Sequence, residues 1–107
     1  MGAKTFYNQT GHDLKIVLTV RLGSDPGTAA DVQAFSLGNA QQTFFTYSGD
    51  DNPYLDGILV NATDDPNFNG EIYVFTRGDA NDNSMNTNNT VTLSAQGETP
   101  VFSFSNQ

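Results

Sequence analysis

The chain contains no cysteine and no tryptophan. Without cysteine there is no disulfide framework, no thiolate metal site and no cysteine nucleophile. A cysteine-free domain is compatible with oxidising and reducing compartments alike. Without tryptophan, the flat faces expected for a sugar ring are those of tyrosine, Tyr47 and Tyr54. Histidine occurs once, at His12, inside the turn Gly11-His12-Asp13. A lone turn histidine is expected to be a solvated residue, and there is no second one to complete a zinc site. Basic residues are scarce: 4 Lys and Arg stand against 12 Asp and Glu, a net charge of −8. That balance argues against nucleic acid, which needs cations to neutralise phosphate, and against an anionic membrane surface. No run approaches the ~20 apolar residues of a membrane span. The opening residues Met1 to Phe6 contain no apolar core of a secretory signal, so none is expected. Extracellular and cytoplasmic settings both stay open.

Catalytic signatures are missing too. There is no Gly-x-Ser-x-Gly elbow and no glycine-rich phosphate loop. Paired carboxylates occur at Asp50-Asp51 and Asp64-Asp65. Neighbours on a turn splay apart, whereas glycosidase carboxylates face each other across about 5–9 Å. A non-enzymatic protein is the expectation.

A chain of 107 residues is expected to form one domain over 1–107. Leu14, Ile16, Leu18, Val20 and Leu22 alternate with Lys15, Val17, Thr19 and Arg21. Period two is the mark of a half-buried strand. The same reading gives strands over Lys4–Asn8, Leu14–Leu22, Val32–Leu37, Gln42–Tyr47, Leu55–Thr63, Glu71–Arg77, Thr90–Ala95 and Pro100–Ser105. Clusters of Gly, Pro, Asn and Asp separate them, each residue type suited to a turn for its own steric reason. Only Thr28–Ala34 has room for a helical turn. An all-β, antiparallel sandwich of about eight strands with Greek-key connections is the expected architecture.

The alternation also names a core: Leu14, Ile16, Leu18, Val20, Phe35, Leu37, Phe44, Ile58, Val60, Ile72, Val74, Val91, Leu93, Phe102 and Phe104. Phe45, Tyr47, Leu59, Tyr73 and Phe75 are then left on the second faces of their strands. Strands apolar on both faces are either covered twice or pair with another subunit.

The segment Gly78–Thr90 has the most polar chemistry. It holds two carboxylates and five Asn amides, with Met85 its single large apolar group. Read as a long loop, it is the expected home of a site. Asp79, Asn81 and Asn83 stand at alternate positions, like the first ligands of a calcium loop, with Asp82 as a spare donor. Calcium is therefore the candidate cofactor. Ser84 and Thr90 replace the Gly and Glu of an EF-hand, which excludes that motif. Over eight residues, Asp79–Asn86, the segment resembles the calcium loop of bacterial calcium-dependent fucose- and mannose-binding lectins. The matching positions are Asp79, Asp82, Asn83 and Asn86. Ser84 and Thr87 stand where that family carries acids.

The expected function is a non-catalytic binding module that presents acidic, polar loops to carbohydrate or to a protein surface. Asp50, Asp51, Tyr47, Tyr54 and Asn86 are the candidate ligand contacts. The 48–53 segment is the expected geometric neighbour of 78–90. The alternatives are a structural or self-assembling subunit, hence a homo-oligomer, built on the doubly apolar strands, and an acidic protein inhibitor of a basic enzyme face. Asn8, Asn61 and Asn88 begin sequences with the form of glycosylation sites.

Overall fold

The computed structural model describes residues 2–21, 29–48, 54–74 and 78–107, the side chains of 29, 30 and 48 excepted. Eight strands and one helix follow in order: β1 (Gly2–Gln9), β2 (Leu14–Arg21), β3 (Ala29–Leu37), β4 (Gln42–Ser48), β5 (Leu55–Ala62), β6 (Asn69–Tyr73), α1 (Ala80–Thr87), β7 (Thr90–Gln96) and β8 (Thr99–Ser105). Two four-stranded sheets pack face to face. Sheet I has the order β4-β1-β7-β8 and sheet II the order β3-β2-β5-β6. The eight-stranded sandwich expected from alternation is present.

One ladder departs from the antiparallel expectation. β1 and β7 run parallel, with Phe6 opposite Val91 and Asn8 opposite Leu93. Strands joined by tight hairpins must be antiparallel, but β1 and β7 lie far apart in the chain, so their relative direction is free of that constraint. β4 returns to lie beside β1, as in a Greek key, while the β2–β3 hairpin between them belongs to the other sheet. β1–β2 and β3–β4 thus form a long antiparallel ribbon folded over so that each half enters a different sheet.

The core lies between the sheets. Leu14, Ile16, Leu18 and Val20 of β2 face Val91 and Leu93 of β7 across it, with Ile58, Val60 and Val74 also buried. Phe35, Ile72, Phe102 and Phe104 are partly buried against that cluster. Phe6, Tyr47, Leu55, Phe68 and Met85 complete the core, although the alternation argument did not select them.

Phe44 is a correction. It is 64 % exposed. Lys4 pairs with Phe45 across the β1–β4 ladder. The side chains of Lys4, Phe6 and Asn8 are buried, so Phe45 rather than Phe44 turns inward. Its ring stacks on Phe35 at 4.3 Å, and Phe35 meets Phe6 edge-on at 5.1 Å. Two adjacent phenylalanines cannot both face the core of a strand, and pairing register decided which one does.

Three elements differ from the local reading, the first being β6, which spans Asn69–Tyr73 where Glu71–Arg77 was expected and ends before Val74. The described part of Thr28–Ala34 is strand rather than helical turn, because Ala29 to Leu37 pair along β2. The Gly78–Thr90 segment holds a helix rather than a bare loop. Leu22, Phe75 and Arg77 lie outside the described residues.

Candidate functional site

The helix α1 has a composition that should not favour it, since Asn, Asp, Ser and Thr compete for backbone groups. Tertiary contacts supply what propensity lacks. Asp79 is the N-cap, and its Oδ1 accepts from the Asp82 N–H at 2.8 Å. Met85 anchors the helix in the core with no exposure. The remaining polar groups bond to the sandwich. Asn81 donates to the Tyr73 carbonyl at 2.9 Å. Asn86 treats Leu55 as a strand partner would: its Oδ1 accepts from the Leu55 N–H at 2.7 Å and its Nδ2 donates to the Leu55 carbonyl at 3.0 Å.

Asp82 turns inward to Arg21. The Arg21 guanidinium, 2 % exposed, donates from Nε to Asp56 at 2.7 Å and from Nη2 to Asp82 at 2.9 Å. Nη2 also reaches the Leu55 carbonyl at 3.3 Å, and the guanidinium carbon lies 5.6 Å from the centre of the Tyr54 ring. Asp82 further accepts from the Gly78 N–H and from Asn86 Nδ2, each at 2.7 Å. Burial by itself would raise the Asp82 pKa. The Gly78 N–H, the Asn86 amide and the Arg21 charge outweigh burial and hold it below the usual carboxylate value.

This arrangement redefines the expected metal ligands Asp79, Asn81, Asp82 and Asn83. Asp79 is the N-cap and the other three lie in the first turn of the helix, each with its own partner. Asp79 caps, Asn81 holds β6, Asp82 pairs with Arg21, and Asn83 donates to the Gly78 carbonyl at 3.3 Å. Among the described residues there is no group of three or more His, Asp or Glu side chains placed to hold a metal ion. Calcium wants six to eight oxygens turned toward one point, and the hydrogen bonds of these four side chains run to four different partners.

The expected ligand contacts also divide. Asp50 and Asp51 lie outside the described residues. Tyr47 is buried, and burial pushes its hydroxyl up to about 12. It offers no face to a ligand, because the inward phase of β4 carries Thr43, Phe45 and Tyr47. Asn86 is consumed by Leu55 and Asp82. Tyr54 remains at the surface, 37 % exposed. Tyr54 and Leu55, the first described residues after 49–53, adjoin α1 through Arg21 and Asn86. Asp64 lies at the other end of β5, where it meets His12 Nδ1 at 3.0 Å. The His12 ring rests on Phe68 at 4.5 Å, so this histidine is more engaged than a solvated turn residue.

Sheet I carries a different feature. By register, the rows across its outer face read Phe44–Thr5–Thr90–Ser105, Gln42–Tyr7–Thr92–Ser103 and Gln9–Ser94–Val101. Among the described residues none of the side chains on this face is charged, in a chain of net charge −8. Phe44 is exposed and Tyr7 half-buried. The face runs into a groove of about 620 Å³ lined by Tyr7, Gln9, Asn39, Gln41 and Gln42. Its floor is held by backbone: Asn8 N–H donates to Gln41, and Ala40 N–H donates to Asn8. Ala40 occupies the left-handed region with φ 61° to close the turn.

Asn8 keeps that end rigid. Its side chain is 1 % exposed. Nδ2 donates to the carbonyls of His12, Leu37 and Gly38 at 2.7, 3.0 and 3.0 Å. Oδ1 accepts from the Thr10 N–H and hydroxyl at 3.1 and 2.7 Å. A sequon in form, Asn8 is closed to glycosylation in the folded chain. Nothing in its spacing distinguished it from the other asparagines.

Lys4 is the second buried polar group of β1. Its ammonium donates to the Asn88 carbonyl at the end of α1, and burial lowers its pKa to about 8. Below pH 8 the folded protein bears the cost of that buried charge. Between pH 8 and the unfolded value of 10.5, the unfolded chain binds the proton that the folded one has released, so stability rises with pH. Tyr47 has the opposite sign: its raised pKa removes stability as pH climbs above 10. Denaturant melts should therefore show a gain of about 2 kcal/mol from pH 7 to 10, then a fall. Lys4→Met should abolish the rise; a flat profile in the wild type would contradict the assignment.

Comparison with known proteins finds no matching family model, no matching curated protein and no matching solved structure.

Proposed function

We propose that the protein is a non-catalytic binding module, and that the outer face of sheet I with its adjoining groove receives neutral carbohydrate. The observation that carries this reading is the charge-free outer face of sheet I on a strongly acidic chain. Neutral glycans offer hydroxyls for amides and alcohols and an apolar ring face for aromatics. Gln9, Gln41, Gln42, Thr5, Thr92 and Ser103 supply the first, while Tyr7 and Phe44 supply the second. A rigid floor limits the ordering cost of binding. The reading uses no metal, since Asp79, Asn81, Asp82 and Asn83 are committed elsewhere.

The test is affinity electrophoresis and calorimetry against neutral polysaccharides, a mannan and a β-glucan, with a sulfated polysaccharide as comparison. Retention by a neutral polymer is expected, unchanged by EDTA. Tyr7→Ala is expected to weaken it about tenfold, roughly the worth of one aromatic contact. Wild-type protein that no neutral polymer retards, or binding indifferent to Tyr7→Ala and Phe44→Ala, would remove the proposal.

A further inference from the structure

The outer face of sheet II has the opposite character to that of sheet I. Its rows read Ser36–Lys15–Asn61–Asn69, Ala34–Val17–Leu59–Glu71 and Val32–Thr19–Gly57–Tyr73. Val17 and Leu59 are directly paired at its centre and half-exposed. Val32 is 60 % exposed, and the Tyr73 ring lies over Gly57, leaving no room for a Cβ there. Among the described residues only two charged side chains stand on this face, Lys15 and Glu71, of opposite sign. Lys15 is also the only exposed cation among the described residues, since Lys4 and Arg21 are buried. Acids crowd the turns, where a second copy would be repelled; this face carries no net charge.

We infer that the outer face of sheet II is a two-fold interface between two copies of this chain. The register makes it self-complementary. Lys15 lies two residues along β2 from Val17, and Glu71 lies in the Val17–Leu59 row one strand beyond Leu59. With ~4.8 Å between strands and ~3.3 Å per residue, each charge is about 7 Å from the midpoint of Val17 and Leu59. A two-fold axis through that midpoint, in the plane of the interface, sets each Lys15 against the partner's Glu71, twice. Val17, Leu59, Ala34 and Val32 are covered in the same step. The four-stranded face has a footprint of roughly 500 Å² per copy, so roughly 1,000 Å² in the pair, which fits a specific association of micromolar strength. This inference does not depend on the carbohydrate reading, which concerns the opposite sheet.

Sedimentation velocity of the full chain from about 1 to about 300 µM tests it, because mass action moves a micromolar dimer through that range. The mass is expected to rise from 11.5 kDa to twice that value. Lys15→Glu and Glu71→Lys should each weaken association about tenfold or more, and the double exchange should restore it to within a few-fold. Leu59→Lys should be monomeric throughout, with circular dichroism confirming the fold. The charge exchange decides the matter should Leu59→Lys fail to fold. A wild-type monomer at every concentration, single exchanges without effect, or a dimer broken by Phe44→Ser on sheet I but not by Leu59→Lys would overturn it.

Discussion

Arg21→Ala is expected to lower the free energy of unfolding by about 3–5 kcal/mol, the usual cost of removing one member of a buried ion-pair cluster. The guanidinium is the only cation among the described residues that contacts Asp56 and Asp82, both buried. Removing it leaves two carboxylates close together in a poorly solvated space. Asp82→Asn is expected to cost less, because Arg21 retains Asp56 and the amide oxygen still accepts from Gly78. The pH profile should change as well. A folded pKa below the unfolded one contributes stability above the unfolded value, near 3.9, that is lost as pH falls through the folded value. Asp82 behaves that way in the wild type. In Arg21→Ala its pKa should move upward, so acidification should relieve part of the damage. Urea melts at pH 7 and pH 4 measure both effects. A loss under about 1 kcal/mol would mean that this pair behaves like a surface salt bridge.

Asn8→Asp is expected to cost about 3 kcal/mol or more at pH 7, although it exchanges one atom. The amide donates to three carbonyls and its oxygen accepts twice from Thr10. A carboxylate in that place turns an unpaired acceptor, and a charge, against the carbonyls of His12, Leu37 and Gly38. The introduced acid has its folded pKa raised. Its neutral form therefore retains stability below the unfolded value, and the loss grows as pH rises through that value. The deficit should shrink toward pH 4, the reverse of ordinary acid denaturation. Asn8→Ala, lacking the charge, should show a smaller loss independent of pH. The measurement is the difference in unfolding free energy between each variant and wild type across pH 4 to 8. A deficit unchanged over that range would mean that water reaches the carboxylate.

These polar clusters sit at the two ends of the sandwich. The Arg21 network locks α1 against the start of β5, and Asn8 locks the turns that border the groove of sheet I. The faces between the ends are the ones proposed above for carbohydrate and for a second copy of the chain. In the two-fold pair inferred above, sheet II is the inner surface and sheet I points outward on both sides. Two copies of the proposed carbohydrate face would then be joined in one particle, which would suit a repeating polymer.

Strand positions and class were legible in the chain because alternation is a short-range property. Leu14 to Val20 could face only one way, and Gly, Pro, Asn and Asp punctuated the strands at every turn. The absence of cysteine settled that no disulfide contributes, and the acid excess settled the sign of the surface. Other features are non-local. Phe44 and Phe45 have the same local pattern, and only the register with β1 chose Phe45 for the core. Helix α1 was hidden because its stability comes from Arg21, Leu55 and Tyr73, up to 61 residues away in sequence. Asp82 looked like a spare metal donor and Asn86 like a ligand contact because an isolated polar side chain does not reveal its partner. Composition and spacing determined that this is an acidic eight-stranded sandwich. Tertiary structure decided which polar groups are spent inside it and which faces stay free, because a buried donor or acceptor must be satisfied by whatever group the fold brings beside it.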